Sequence, residues 1–183
     1  MKLDRIQLGF DWCEDYYYVK ETIIREHKAT KYPPSDKNNF KIKDWDCTKL
    51  LIPLYHLFYE KVISDFTYPD YCENTAANIQ FYAYVMNNER WEEKYMPKLW
   101  HDHTKTFCMA NGVFYFNTPT CPKSCPDDGA LLVKESWDHP EVMLHPKEGE
   151  LIIFPGSYPH CPLGVETDEY RIAINIEAQR YWL

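Results

Sequence analysis

Glycine is scarce in this chain, with six residues among 183 beside thirteen prolines, which argues against a linker-rich or disordered protein. No apolar run approaches the ~20 residues needed to span a bilayer. The opening Met1-Lys2-Leu3-Asp4-Arg5-Ile6 lacks the apolar core of an export signal. Net positive charge is missing too. A formal charge of −8 disfavours nonspecific nucleic-acid binding and anionic membrane surfaces, but leaves room for a small anion held by one or two local cations. The redox motif Cys-x-x-Cys is absent. Seven cysteines, an odd number in a chain without an export signal, read as reduced thiols in a cytoplasm, the host's if the protein is viral. Cys121 and Cys125 form the one close pair. With His139 and His145 they make a candidate structural zinc site, against the simpler reading of a Pro-rich surface loop with exposed histidines. There is no internal repeat.

What the chain does have is aromatic bulk: fifteen Tyr, nine Phe and six Trp, within a hydrophobic content of 45%. Such residues favour strands and large cores. The length fits one domain, residues 1–183. Residues 3–12 alternate loosely and suit an opening strand. From Glu14 to Lys28, Tyr16, Val19, Ile23 and Ile24 fall at helical spacing. Thr30 to Asp46 is polar, carries Pro33-Pro34 and reads as a loop. Thr48 to Ser64 is the strongest helix, with an apolar stripe through Leu50, Leu51, Leu54, Leu57, Phe58 and Val62. Its cap is Asp46 or Thr48, and Pro53 fits only in a first turn. His56 on this helix reads as a surface histidine.

From Asn78 onward the texture changes to about eight short strands separated by turns. They include Ile79–Met86, Phe107–Asn117, Ala130–Val133, Leu151–Phe154 and Arg171–Ile176. The last alternates cleanly: Ile172, Ile174 and Ile176 face one way, Arg171, Ala173 and Asn175 the other. The expected class is α+β, a jelly-roll core over residues 78–183 backed by helical support from residues 1–77.

Trp100-His101-Asp102-His103 is the chemical focus. Residues two apart on a strand share a face, so His101 and His103 can point at one ion. His160 lies far downstream, after Pro155-Gly156, and Arg171 follows it by eleven residues. Imidazoles suit a divalent first-row metal, and an open-sided set of three ligands is typical of non-heme iron oxygenases. Taken alone, a His-x-His pair or a strand-initial arginine is usually a surface feature. The combination in this order is what raises both.

With Tyr115-Phe116-Asn117, Gly149-Glu150-Leu151, Phe154-Pro155, His160 and Tyr170-Arg171-Ile172-Ala173, residues 78–178 resemble the iron(II)- and 2-oxoglutarate-dependent oxygenases. The resemblance is to the prolyl-hydroxylase-like branch, including small phage-type oxygenases. It implies a double-stranded β-helix (jelly-roll, cupin-like) and a dioxygenase using Fe(2+), 2-oxoglutarate and O2. His101, His103 and His160 would hold the metal. Asp102 is the alternative ligand or a partner orienting an imidazole, since the family's pattern is His-x-Asp and His103 stands at the acid position. A register with His103 first and Lys105 at that position would set a cation beside the metal and ranks last. Arg171 would clamp the distal carboxylate, with Tyr115, Tyr84, Asn117 and Asn111 lining the cosubstrate pocket. The segments Asn87–Pro97 and Thr118–Asp128 would flank the mouth, where Trp91, Arg90 and Tyr95 are candidate substrate contacts. The implied reaction is hydroxylation of an amino-acid-like small molecule or a protein side chain. Two rivals remain: a three-histidine cupin-type metal enzyme without 2-oxoglutarate, and a non-catalytic jelly-roll binding module.

Overall fold

The strand Glu150–Pro155 (β7) is buried along nearly all its length. Its side chains alternate between two apolar layers, Leu151 and Ile153 joining one and Ile152 and Phe154 the other. A strand covered on both faces has no need of polar alternation, which explains the unbroken run Leu151-Ile152-Ile153-Phe154. Cys108–Asn117 (β4) behaves alike: Phe114 and Phe116 enter the first layer, Val113 and Tyr115 the second. Arg171–Gln179 (β9) sends Ile172, Ile174 and Ile176 to the first and Ala173 to the second, the division that its alternation predicts.

These strands belong to a computed structural model that describes residues 1–29, 39–66, 81–87, 100–106, 108–120, 126–165 and 167–179. Asp4–Gln7 (β1), Asn39–Lys41 (β2) and Tyr82–Met86 (β3) complete a six-stranded sheet in the order β1-β7-β4-β9-β3-β2. Leu131–Val133 (β5), Val142–Leu144 (β6) and His160–Pro162 (β8) form a second sheet, β6-β5-β8. All the pairings are antiparallel. Two helices, Tyr16–Ala29 (α1) and Trp45–Phe66 (α2), pack Val19, Ile23, Leu51, Leu54 and Phe58 onto the first layer. The small sheet closes the second layer with Leu131, Val133 and Leu144. The result is an α+β jelly-roll core, helices on one face of the main sheet and the small sheet on the other. Among the described residues, no helix is long and apolar enough to cross a membrane.

The sequence places several boundaries differently. The polar segment Thr30–Asp46 contains β2, and β1 pairs with β7, so the N-terminal part contributes strands of the main sheet as well as helices. β2, β6 and β8 are three residues each, too short to show a period. α2 begins before Thr48 because Asp44, rather than Asp46 or Thr48, caps it. Asp44 Oδ1 accepts the Cys47 N–H at 2.9 Å and its carbonyl accepts the Thr48 N–H at 3.0 Å. That bond to Cys47 is the main reason the Asp44 carboxyl lies below the usual carboxylate range. The earlier start moves Pro53 out of the first turn and into the helix interior. Pro53 and His56 are both exposed, so the carbonyl that Pro53 leaves unbonded is on the solvent side, where water can serve it.

Gly112 sets how closely α2 approaches the sheet. A Cβ there would lie 2.7 Å from Cδ2 and Cε2 of Phe58, whose ring is fully buried. Gly112→Ala is therefore expected to destabilise the fold by roughly 1–3 kcal/mol through overpacking. Urea denaturation measures it, and a double-mutant cycle with Phe58→Leu should show the two positions coupled.

Candidate functional site

β8 carries His160 to the inter-sheet side, where its backbone forms an antiparallel bridge with His101. The His101 N–H donates to the His160 carbonyl at 3.1 Å, and the return bond is 2.9 Å. Two residues on, the His103 N–H donates to the Gly156 carbonyl at 2.8 Å. These bonds fix two stretches of chain far apart in sequence against each other. The imidazoles of His101, His103 and His160 consequently offer ligand nitrogens all within 4.8 Å of one another. Among the described residues, they form a cluster that could hold a metal ion. His160 Nε2 and His103 Nε2 are 3.4 Å apart.

The tautomers follow from the partners. His160 Nδ1 lies 3.0 Å from the Tyr158 carbonyl. A carbonyl only accepts, so Nδ1 carries the proton and Nε2 keeps its lone pair. Burial, followed by the nearby His101, pushes the His160 ring down to about 3, so it stays neutral at ordinary pH. The Phe154 ring packs edge-on against it at 5.0 Å. His103 Nδ1 lies 2.9 Å from Glu177 Oε1 on β9.

Asp102 is turned away. Its Oδ1 accepts the Thr104 N–H at 3.1 Å and the Thr104 hydroxyl at 2.6 Å, and its Oδ2 accepts the Trp137 Nε1–H at 2.9 Å. The Thr104 bonds, led by the hydroxyl, hold the Asp102 carboxyl below the usual range. No bulge brings it to the imidazoles. His103, and not Asp102, shares the cluster with His101 and His160.

Arg171 begins β9 on the inter-sheet face and is 2% exposed. Its guanidinium lies over the Tyr115 ring, 5.1 Å from the centroid. Its Nε and Nη1 find no hydrogen-bond partner among the described residues, and neither do Tyr115 Oη and Asn111 Oδ1. Burial pushes the Tyr115 hydroxyl up to about 12 against the pull of Arg171, so it remains a donor. Buried polar groups are nearly always bonded. Arg171 and Tyr115, stacked together, thus present buried polar atoms suited to a polar group from outside the chain, while Asn111, paired with Glu177, lies toward the other end of β9. Gly129, with φ +71°, lets this arginine in: a Cβ there would sit 3.3 Å from Arg171 Cδ.

Of the other expected contacts, Tyr84 pairs with Ala173 and packs in the second layer beside Tyr115. Asn117 does not reach that face. A bulge between Tyr115 and Asn117 pairs Asn117 with Ile172, turning its side chain to the helix side. There it accepts from Lys20 Nζ at 2.7 Å and donates to the Tyr170 carbonyl. Trp91, Arg90 and Tyr95, with Cys121 and Cys125, lie outside the described residues. His139 Nδ1 is 2.6 Å from Ser136 Oγ, and the exposed His145 is 3.7 Å from Asp127. Sequence reasoning missed Glu177, Trp137 and Gly156. Glu177 was within reach, since the alternation of β9 continued by two steps puts it on the face of Arg171.

Gly156 is a close approach rather than a turn device. A Cβ on it would lie 2.2 Å from the Cys108 carbonyl oxygen, a backbone atom that cannot move aside cheaply. Gly156→Ala should therefore displace the His103 backbone, destabilise the fold by more than ~1 kcal/mol and weaken cobalt(II) binding. Gly164→Ala, where only Met86 Cε at 3.7 Å is near, should leave both unchanged. Thermal unfolding and a cobalt(II) titration check the pair.

No protein-family model matches the sequence, and no curated protein sequence matches it. Solved structures do. A prolyl-4-hydroxylase of Pseudomonas putida superposes with a TM-score of 0.63 at 14% identity, over 98% of this chain and 93% of that one. A prolyl hydroxylase of Trichoplax adhaerens, solved with a hypoxia-inducible-factor peptide fragment, gives 0.61 at 13%, over 97% and 83%. The α-ketoglutarate-dependent carbocyclase SnoK of nogalamycin biosynthesis gives 0.61 at 9%, over 94% and 78%. At these identities the likeness is one of fold: this chain has the double-stranded β-helix fold of the non-heme iron, 2-oxoglutarate-dependent oxygenases.

Proposed function

We propose that this protein is a non-heme iron(II)- and 2-oxoglutarate-dependent dioxygenase, hydroxylating an amino-acid-like small molecule or a protein side chain. The observation that carries the reading is the buried Arg171, whose Nε and Nη1 lack partners among the described residues. Leaving a guanidinium buried and unpaired costs several kcal/mol unless a ligand anion offsets it. A carboxylate matches its fork in two parallel hydrogen bonds.

The donor set fits a divalent first-row metal, because His160 is held neutral with Nε2 bare and His101 and His103 converge on the same space. His101, His103 and His160 would hold iron(II), and bound iron with 2-oxoglutarate supplies oxygen activation coupled to oxidation of the keto acid. The chain's own residues bind and orient. Arg171 takes the distal carboxylate, with Tyr115 Oη donating beside it. Ala173 and Asn175, both short, lie on the same face of β9 between the arginine and Glu177. Phe154 and Val113 keep the floor apolar, limiting the water that reaches it.

A donor set without a carboxylate favours the three-histidine cupin-type enzyme as the second reading. Arg171 separates the two, since that enzyme has no need of an anion clamp. Purified protein with iron(II) should convert 2-oxoglutarate to succinate, and His160→Ala should abolish this. Failure to bind or turn over 2-oxoglutarate would leave the second reading standing.

Arg171→Leu should weaken 2-oxoglutarate binding by roughly 10–100-fold, as expected for losing charged hydrogen bonds of ~1.5–3 kcal/mol. It should leave the melting temperature of the ligand-free protein unchanged or raise it, because removing a buried charge whose Nε and Nη1 have no partner among the described residues relieves desolvation. Loss of stability in that variant would mark Arg171 as a structural residue instead.

A further inference from the structure

The His103–Glu177 pair is the part of the site that the oxygenase reading does not explain. Both side chains are half-buried, 18% and 23% exposed, and Nδ1 is 2.9 Å from Oε1. An ionised carboxylate only accepts, so His103 Nδ1 carries a proton and Nε2 is the nitrogen turned to the cluster. It lies 3.4 Å from Nε2 of His160. The two rings are held in this approach by separate outward hydrogen bonds, His160 to the Tyr158 carbonyl and His103 to Glu177. The two partners differ in kind: one is a neutral dipole, the other brings a formal charge.

That charge matters because three imidazoles bring none. The nearby carboxylate of the motif, Asp102, is committed to Thr104 and Trp137. Glu177 sits between the fully buried Ile176 and Ala178 on β9 and pairs with Asn111 of β4, so its backbone is anchored in the sheet. An exposed histidine–glutamate pair is worth only ~0–1 kcal/mol. This one is strand-borne, partly buried, and ends on a ring of the cluster.

We propose that Glu177 is a positioning residue for the metal centre: through His103 Nδ1 it fixes the ring's tautomer and supplies, one ring removed, the negative charge absent from the three-imidazole donor set. This rests on the metal-site reading above. Carboxylates orienting a metal-bound imidazole typically contribute 10–100-fold to metal affinity.

Cobalt(II) is the probe, with affinity read by competition against a chromophoric chelator and geometry read from the visible d–d absorption. Glu177→Gln keeps an acceptor and loses the charge. It should weaken cobalt(II) binding by roughly 10-fold or more and shift the absorption. The control Glu169→Gln, an exposed carboxylate on a loop, removes the same charge from the molecule and should change neither. If wild-type protein binds no cobalt(II), the metal-site reading fails and this inference with it. If wild type binds and Glu177→Gln binds as tightly with an unchanged spectrum, only this inference fails. A second measurement needs no variant: nitrogen-15 imidazole spectra of the metal-free wild type should show His103 as the Nδ1–H tautomer. The Nε2–H tautomer would overturn the proposal.

Discussion

The backbone bridge between His101 and His160 is the constraint on which the site depends. Side chains alone are poor at holding three imidazoles together, because each is free to rotate away from the others. Here the peptide groups do the work. Two hydrogen bonds lock the strand-like stretch before the Thr104–Thr106 turn to the end of the β7–β8 connection, and a third ties His103 to Gly156. The His160 and His103 rings are then oriented by what their Nδ1 atoms reach, a backbone carbonyl in one and a carboxylate in the other, and both hydrogen bonds point away from the cluster.

This arrangement also explains why the molecule is built in three layers. A site between two sheets needs an inner face that is apolar enough to exclude water, yet tolerant of a few buried polar atoms. The main sheet meets the first need by packing α1 and α2 on its other face, so that its central strands are buried on both sides. The second need is met locally. Arg171, Tyr115 and Asn111 are spaced along two adjacent strands of the inter-sheet face, where each is buried. The stability of the apolar layers is what allows such polar groups to stay in place.

Much of this was legible in the residues. Long strands announce themselves by period or by apolar runs, and β4, β7 and β9 did so. His101, His103, His160 and Arg171 stood out because their order and spacing are chemically uncommon together. What escaped notice was of another kind. Strands of three residues carry no periodic signal, so β2, β6 and β8 were hidden. The cap of α2 lies two residues before Asp46 and four before Thr48, since these residue types are alike as caps and differ only in which reaches the Cys47 N–H. Asn117 was placed on the wrong face because a bulge breaks the alternation just before it. Which way Asp102 faces depends on Trp137, thirty-five residues away, whose indole donates to one of the aspartate's oxygens.

β9 has a property that neither of its charged residues has alone. Arg171 and Glu177 are six residues apart, an even number, and so lie on one face with opposite charges toward opposite ends. The strand acts as a ruler, with the buried guanidinium at one mark and the carboxylate paired with His103 at the other. A one-residue slip or insertion ahead of Arg171 would send both into the helix-side core and bring three isoleucines into the site at once. The two halves of the site are thus coupled through strand parity: they are present together or lost together.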